Sequence, residues 1–290
     1  MTADTLMDRA HGLAGRPAES TGISDTDFAT IRDLLFQQAG IALTPAKKAL
    51  VCSRLFKRLQ ATGLDTYGAY FALLMSGNDG AELQIAIDLL TTNETYFFRE
   101  AEHFSMLAAL AEKADRQRTF RVWSAACSSG EEVYTIAMTL AELSRTARAP
   151  TWEVRGSDLS TRVLETARQG HYTLARTGDM PPALLKRYCL YGTGQYEGTL
   201  LVDSALRDRV EFAQINLIEP LPRLVPFDVI FLRNVLIYFD PPVKRKVVTQ
   251  LLDTLRPNGV LFIGMAETLS GVIDGLVSCG PGAYRMERRS

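Results

Sequence analysis

No apolar run in this chain outlasts a strand. Val-Ile-Phe-Leu at 229–232 is one such strand-length run, far short of the roughly 20 residues that cross a bilayer as a helix. No excess of charge is present either: 32 basic residues face 33 acidic ones, for a net charge of −1. A chain so balanced has no global field drawing it to nucleic acid or to a membrane surface. Cysteine is sparse. Cys52, Cys127, Cys189 and Cys279 form no Cys-x-x-Cys pair and have no histidine cluster beside them, which argues against a zinc site and for a reducing, cytoplasmic setting. Histidine is sparser still, at His11, His103 and His171. No Gly-x-Gly-x-x-Gly string is found, so a dinucleotide-binding fingerprint is excluded. Residues 1–23 lack the apolar core of a signal peptide and read as a disordered leader.

What is there is 290 residues with 47% hydrophobic content, enough to bury a large core in two domains. From Ser24 the pattern is helical. Phe28, Ile31, Leu34 and Leu35 mark an amphipathic stretch that ends at Gly40. A second helix has Thr44 as a candidate N-cap and Pro45 in its first turn, and it stops near Gly63. Between Lys47 and Arg58 it carries five basic residues and no acidic one. Lys47, Arg54 and Arg58 share one face by helical spacing, with Lys57 beside them. Such a face is either solvated surface or a docking surface for an acidic partner.

From Thr119 the period changes. Strands are expected at 119–125, 152–157, 209–213, 227–232 and 259–264, with helices at 131–145, 160–169 and 241–255. This alternation means an α/β fold, a parallel sheet covered by helices on both faces. The closing residues read as a hairpin around Pro281-Gly282. A glycine-rich stretch, with a small antiparallel subdomain placed at about 184–208, interrupts the rhythm.

In an open α/β sheet, ligands sit beyond the C-terminal strand ends. After the first strand come Ser128, Gly130 and the pair Glu131-Glu132. Carboxylates there repel phosphates and suit a ligand with hydroxyls, an amine or a positive charge. S-adenosylmethionine has that chemistry; a nucleotide polyphosphate does not. After the second strand Asp158 can accept two ribose hydroxyls, or merely cap the next helix. After the third, Asn216 and Leu217 offer an amide and an apolar face to an adenine, although Asn216 also suits a plain turn. Arg233 and Asn234 follow the fourth. Upstream, if Thr92 or Asn93 caps a helix, Phe97, Ala101, Phe104 and Ala108 form its buried stripe. Thr95 and Arg99 then share another face, where Arg99 either grips a ligand carboxylate or pairs with Glu94 or Glu102.

Leu-Leu-Thr-Thr-Asn-Glu-Thr-Tyr-Phe-Phe-Arg-Glu at 89–100, Arg-Val-Trp-Ser-Ala-Ala-Cys-Ser-Ser-Gly-Glu-Glu at 121–132, the string at 227–240 and Leu-Arg-Pro-Asn-Gly at 255–259 resemble the CheR-type chemotaxis receptor glutamate methyltransferases. The resemblance runs from about residue 24 to the C-terminus. It implies a helical receptor-docking domain (24–90), a linker with a cofactor-capping helix (91–118) and a Rossmann-like class I methyltransferase domain (119–290) carrying the β-subdomain. It also implies methyl transfer from S-adenosylmethionine to chemoreceptor glutamates, with S-adenosylhomocysteine as the other product. The family's cofactor contacts fall on Asn93, Thr95, Arg99, Glu131, Asp158, Asn216, Leu217, Arg233 and Asn234. Its receptor-docking face maps to Lys47, Arg54, Lys57 and Arg58. The 191–198 loop resembles that of members which tether a receptor C-terminal peptide. Two departures stand out: Cys127, and Gly-Met-Ala-Glu at 264–267 in place of a Gly-His-Ser-Glu-type string.

A glutamate side chain, with a pKa of about 4.3, is already a nucleophile at neutral pH. No general base is required, and no histidine lies at a strand end. Tyr238, four residues after Asn234, either positions the substrate or is an ordinary buried tyrosine. An amine methyltransferase is the enzymatic alternative, but its Asn/Asp-Pro-Pro-Tyr string is absent after the fourth strand, and Asp240-Pro241-Pro242 comes too late. A non-catalytic module that binds S-adenosylmethionine or S-adenosylhomocysteine is the alternative from another class. The chain is further expected to act as a monomer in the cytoplasm, without nucleic acid, metal or membrane insertion.

Overall fold

Residues 22–146 and 150–287 are described by the computed structural model. The leader expected over 1–23 falls outside them except for its last two residues, and Ile23 is packed into the first hydrophobic core. That core belongs to four helices: α1 (Asp25–Ala39), α2 (Lys48–Thr62), α3 (Tyr67–Met75) and α4 (Gly80–Leu90). Ser24, Thr66 and Asp79 accept backbone N–H groups at the starts of α1, α3 and α4, and Gly40 and Gly63 end α1 and α2 in the left-handed conformation, as helix ends require. Thr44 makes no side-chain cap. It precedes a 3-10 turn, Pro45–Lys47, that leads into α2.

The basic face of α2 divides in two. Arg54 donates to the carbonyls of Leu90 and Thr91 at 3.0 and 2.9 Å, so it closes the C-terminus of α4. Arg58 makes two hydrogen bonds to buried Glu82, which also accepts the Tyr70 hydroxyl. The expectation of one outward stripe is corrected at these two positions, because helical spacing cannot show that α4 packs alongside. Lys47 and Lys57 are exposed.

After α5 (Glu102–Glu112) the chain alternates: β1 (Phe120–Ser124), α6 (Glu131–Arg145), β2 (Trp152–Asp158) and α7 (Thr161–Gln169). The insertion follows, with β3 (His171–Thr173), α8 (Pro182–Tyr188), β4 (Cys189–Tyr191), β5 (Thr199–Val202) and α9 (Ser204–Arg207). Then come β6 (Val210–Gln214), β7 (Phe227–Leu232), α10 (Pro241–Asp253), β8 (Leu255–Ile263), β9 (Leu276–Gly280) and β10 (Ala283–Met286). The main sheet has seven strands in the order β6-β2-β1-β7-β8-β10-β9. Its first five are parallel and its last two form an antiparallel hairpin. Every residue of β7 is buried, as a strand covered on both faces must be.

The insertion builds a separate antiparallel sheet, β3-β5-β4. It starts at His171, ahead of the expected 184. Tyr172 in β3 is buried and donates its hydroxyl to the Ser129 carbonyl at 2.7 Å. The small sheet therefore props the turn after β1.

Candidate active site

The strand order reverses between β1 and β7, and a switch point of this kind leaves a crevice beyond the C-terminal strand ends. A cavity of about 330 Å³ lies there, walled by the turns after β1, β2, β6 and β7, by residues 90–99, and by Ala39–Thr44, Lys47 and Leu50 of the helical domain. The two domains are joined at this wall. Ala42 donates its N–H to the Tyr238 carbonyl at 2.9 Å, and Asn216 its amide to the Gln38 carbonyl at 2.8 Å.

In the turn after β1, Ser128 (φ 49°) and Gly130 (φ 93°) are both left-handed. A Cβ at Gly130 would lie 2.7 Å from that of Ala167, so this glycine lets α7 pack closely. The Ser128 N–H donates to Asp158 Oδ2 at 2.9 Å, and the Ser160 N–H to Oδ1 at 3.0 Å. Each carboxylate oxygen keeps a lone pair for a ligand. Burial holds the Asp158 carboxyl above its ordinary value despite these donors. The cap of α7 is Ser160, whose hydroxyl accepts from Val163, so Asp158 is not the cap. Leu217 and Ile215 supply apolar wall, and Asn216 also accepts the Ile218 N–H.

Glu131 does not reach the cavity. It is fully buried, with its carboxylate on the Ser129 hydroxyl (2.7 Å) and on Arg176 (2.8 Å). Burial pushes its carboxyl up, opposed by those partners. Arg176 also donates to the Thr95 carbonyl at 3.0 Å, so Glu131 stands one layer behind the wall. Glu132 lines the cavity instead. Successive residues on a helix point about 100° apart, so only one of the pair can face inward.

Residues 92–101 form no regular helix; α5 begins at Glu102. The expected stripe is corrected with it, since Ala101 is exposed while Phe97 and Phe104 are buried. Phe98 (φ 59°) and Glu100 (φ 55°) break the helix by adopting left-handed backbone. Tertiary bonds hold them there: the Phe98 N–H donates to the Thr135 hydroxyl, and Glu100 binds Arg233 at 2.9 Å. Asn93, Thr95 and Arg99 still line the cavity. Arg99 donates to the Glu94 main-chain carbonyl at 2.9 Å, and Ser128 donates its hydroxyl to the Asn93 carbonyl at 2.8 Å.

Arg233 is a buried hub. Its guanidinium reaches Glu100 and Glu132, each at 2.9 Å, and lies over the Phe104 ring. Burial opposes ionisation of Glu100, but Arg233 keeps its carboxyl below the ordinary value. Asn234 (φ 57°) follows in left-handed backbone, and the 3-10 turn Leu236–Tyr238 brings Tyr238 to the cavity. Asp240 caps α10 by accepting from Val243, with Pro241 and Pro242 in its first turn, so this string holds no target nitrogen. At the Gly-Met-Ala-Glu departure, the glutamate is present as Glu267, which accepts the N–H groups of Asn234 and Gly264. Cys127 is buried and burial pushes its thiol up, which leaves it a poor nucleophile.

Apart from Glu131, all the cofactor residues expected from sequence line one cavity, together with Tyr238 and Lys47; Arg54, Lys57 and Arg58 lie outside it. Of the expected Glu131-Glu132 pair only Glu132 faces the cavity; Arg176 was missed, and Glu267 was signalled only as the glutamate of the 264–267 string. The described residues contain no group of side chains able to hold a metal ion. A cavity walled by Asp158, an apolar side, half-buried Arg99, exposed Lys47 and an Arg233 already paired with Glu100 and Glu132 fits a cationic nucleoside with an amino-acid tail.

The comparisons with known proteins agree. Residues 26–91 match the CheR methyltransferase all-alpha domain, and residues 93–280 match the CheR methyltransferase SAM binding domain. The chain is 42% identical over 267 residues to a chemotaxis protein methyltransferase of Salmonella typhimurium, covering 92% of each. It is 44% identical over 253 residues to that of Escherichia coli, covering 87% of each. With chemotaxis protein methyltransferase 2 of Pseudomonas aeruginosa it shares 43% identity over 243 residues, 83% of this chain and 86% of the relative. A sheet, a helical wall and a cavity built of these residues, matched along nearly their whole length, make this chain a member of the CheR family of S-adenosylmethionine-dependent chemotaxis protein methyltransferases.

Proposed function

We propose that the chain methylates specific glutamate side chains on the cytoplasmic helices of chemoreceptors, leaving methyl esters. One observation carries this: half-buried Asp158 lines the cavity with its carboxylate fixed by the Ser128 and Ser160 N–H groups, in a wall shared with Arg99, Asn216 and Leu217. The carboxylate accepts ribose hydroxyls. Leu217 and Ile215 take an adenine ring beside Asn216. Arg99 meets the carboxylate of the methionyl end, with Asn93, Thr95 and the Arg233–Asn234 pair around it. Glu131 acts through Arg176 on the Thr95 main chain.

S-adenosylmethionine supplies an electrophilic methyl group on a cationic sulfur. The incoming glutamate is ionised at neutral pH and needs no general base. Ile41, Leu43, Leu50 and Phe104 line the cavity with apolar surface and keep water away from the reacting charges, which strengthens their attraction. Tyr238 positions the substrate carboxylate from the turn after β7.

Lys47 lies at the cavity wall and Lys57 on the outer side of α2, both exposed. They present positive charge to the acidic receptor helices, while Arg54 and Arg58 hold α2 in place. The 191–198 loop, with Tyr191 and Tyr196 exposed at 55% and 53%, is the proposed seat of a receptor C-terminal peptide. The enzyme works as a cytoplasmic monomer.

The test is transfer of a tritiated methyl group to receptor-bearing membranes, followed by mild alkali. Label released by base marks an ester and supports the reading. Base-stable label marks an amine product and ends it, and tight donor binding with no label points to a non-catalytic module.

A further inference from the structure

Asn234 and Tyr238 reach the cavity from a five-residue segment whose only regular structure is the 3-10 turn Leu236–Tyr238, and something must hold it. The Asn234 N–H donates to Glu267 Oε2 at 2.8 Å and the Ile237 N–H to Oε1 at 3.3 Å. The Gly264 N–H donates to Oε2 at 2.7 Å, so one half-buried carboxylate ties the end of β8 to both ends of the turn. Glu267 is itself locked, with its N–H on the Gly264 carbonyl at 2.9 Å. Asn234 opens the turn in left-handed backbone (φ 57°), a conformation asparagine tolerates better than other side-chain-bearing residues. Gly264 completes the clamp: a Cβ there would lie 2.5 Å from Asn234 Nδ2 and 2.9 Å from Glu267 Oε2.

We propose that Glu267 is a positioning residue for methyl transfer, whose carboxylate fixes the Asn234–Tyr238 turn and thereby the orientation of Tyr238 in the cavity. It is not among the residues that line the cavity. A carboxylate is needed because three N–H donors converge on it. A glutamine has one acceptor oxygen and sets its own N–H group against the remaining donors. The proposal rests on the reading of this cavity as the methyl-transfer site, whose failure shows separately as no transfer by the unaltered enzyme.

The test compares Glu267→Gln and Gly264→Ala in the full chain, each checked for cooperative thermal unfolding. Gly264→Ala loads the same clamp from its other side, so one variant serves if the other fails to fold. Misplacing a positioned group costs rate more than binding. The expected result is a kcat lowered about tenfold, more than donor affinity falls, since Asn234 in the same turn also faces the donor, with receptor KM changed less than about threefold. Tyr238→Phe added to Glu267→Gln should cost no more than Glu267→Gln alone, because a mispositioned hydroxyl has nothing left to lose. A kcat within about twofold of the parent in both variants overturns the proposal. So does an equal loss of kcat and donor affinity, or a double variant whose losses multiply.

Discussion

The backbone N–H of Ser128 donates to Asp158 Oδ2 across 2.9 Å, so the turn after β1 and the end of β2 share one carboxylate. Asp158→Asn keeps the shape but turns an amide N–H toward Ser128 or Ser160, both donors. Leaving a buried donor unpaired costs about 1–3 kcal/mol. That cost falls on stability; the loss of charge-assisted bonds to the ribose hydroxyls should separately lower donor affinity by about tenfold or more in titration calorimetry, with helix content unchanged. Unchanged affinity would remove Asp158 from the ribose.

Two arginines of the same wall should behave differently. Arg99 is half-buried, donates to a main-chain carbonyl and lies 5.9 Å from the centre of the half-exposed Tyr96 ring, so Arg99→Ala is expected to weaken donor binding about tenfold with little change in melting temperature. The Arg233 side chain is 2% exposed between Glu100 and Glu132. Its removal leaves two carboxylates without their cation, and Arg233→Ala should destabilise the fold by about 3–5 kcal/mol in urea titration. If Arg233→Ala melts like the parent, the hub is not structural.

On α2 the charges separate in the same way. Lys47→Glu with Lys57→Glu should slow receptor methylation more than it changes donor affinity, with stability unaltered, because both residues are exposed and Lys57 lies outside the cavity. Arg58→Ala strips Glu82, 5% exposed, of its cation. It should cost stability, about 2 kcal/mol once the partial solvation of Arg58 is discounted. Receptor methylation unaffected by the double lysine reversal would exclude the docking face.

His103 is fully buried, with Nε2 2.9 Å from the Pro281 carbonyl and Nδ1 3.6 Å from Glu100 Oε2, without a hydrogen bond. Burial, reinforced by nearby Arg233, holds its pKa below the ordinary value of 6.5, against the pull of Glu100 and Glu102. Below that value the unfolded chain binds the proton more readily than the native one. The stabilisation is therefore present above about pH 6.5 and is lost as pH falls. His103→Gln keeps a donor for Pro281 and cannot titrate. The stability difference between parent and variant should shrink between pH 7.5 and 5.5 in denaturant titrations. A difference constant with pH would show that His103 does not titrate on unfolding.

Much of the α/β half was legible because its signals are local. The switch from helical spacing to apolar runs at Thr119 marks the sheet, and Asp158, Leu217 and Asn234 are found by counting to the end of each strand. Residues 92–101 were not legible. Thr92 and Asn93 have the chemistry of a helix cap, but Glu100 is drawn out of a helix by Arg233, more than a hundred residues away in sequence. Arg54 and Arg58 show the same limit: spacing places them on one face of α2, but only the packing of α4 decides which face meets solvent. Glu131 and Glu132 are adjacent and alike, and their roles separate only once Arg176 and Arg233 are seen on opposite sides of α6.

The most direct test is a crystal structure of the protein with S-adenosylhomocysteine. The expected result places the ribose hydroxyls on Asp158, the adenine against Leu217 and the amino-acid carboxylate near Arg99. An empty crevice beneath the helical domain, with the nucleoside bound elsewhere on the chain, would contradict the account.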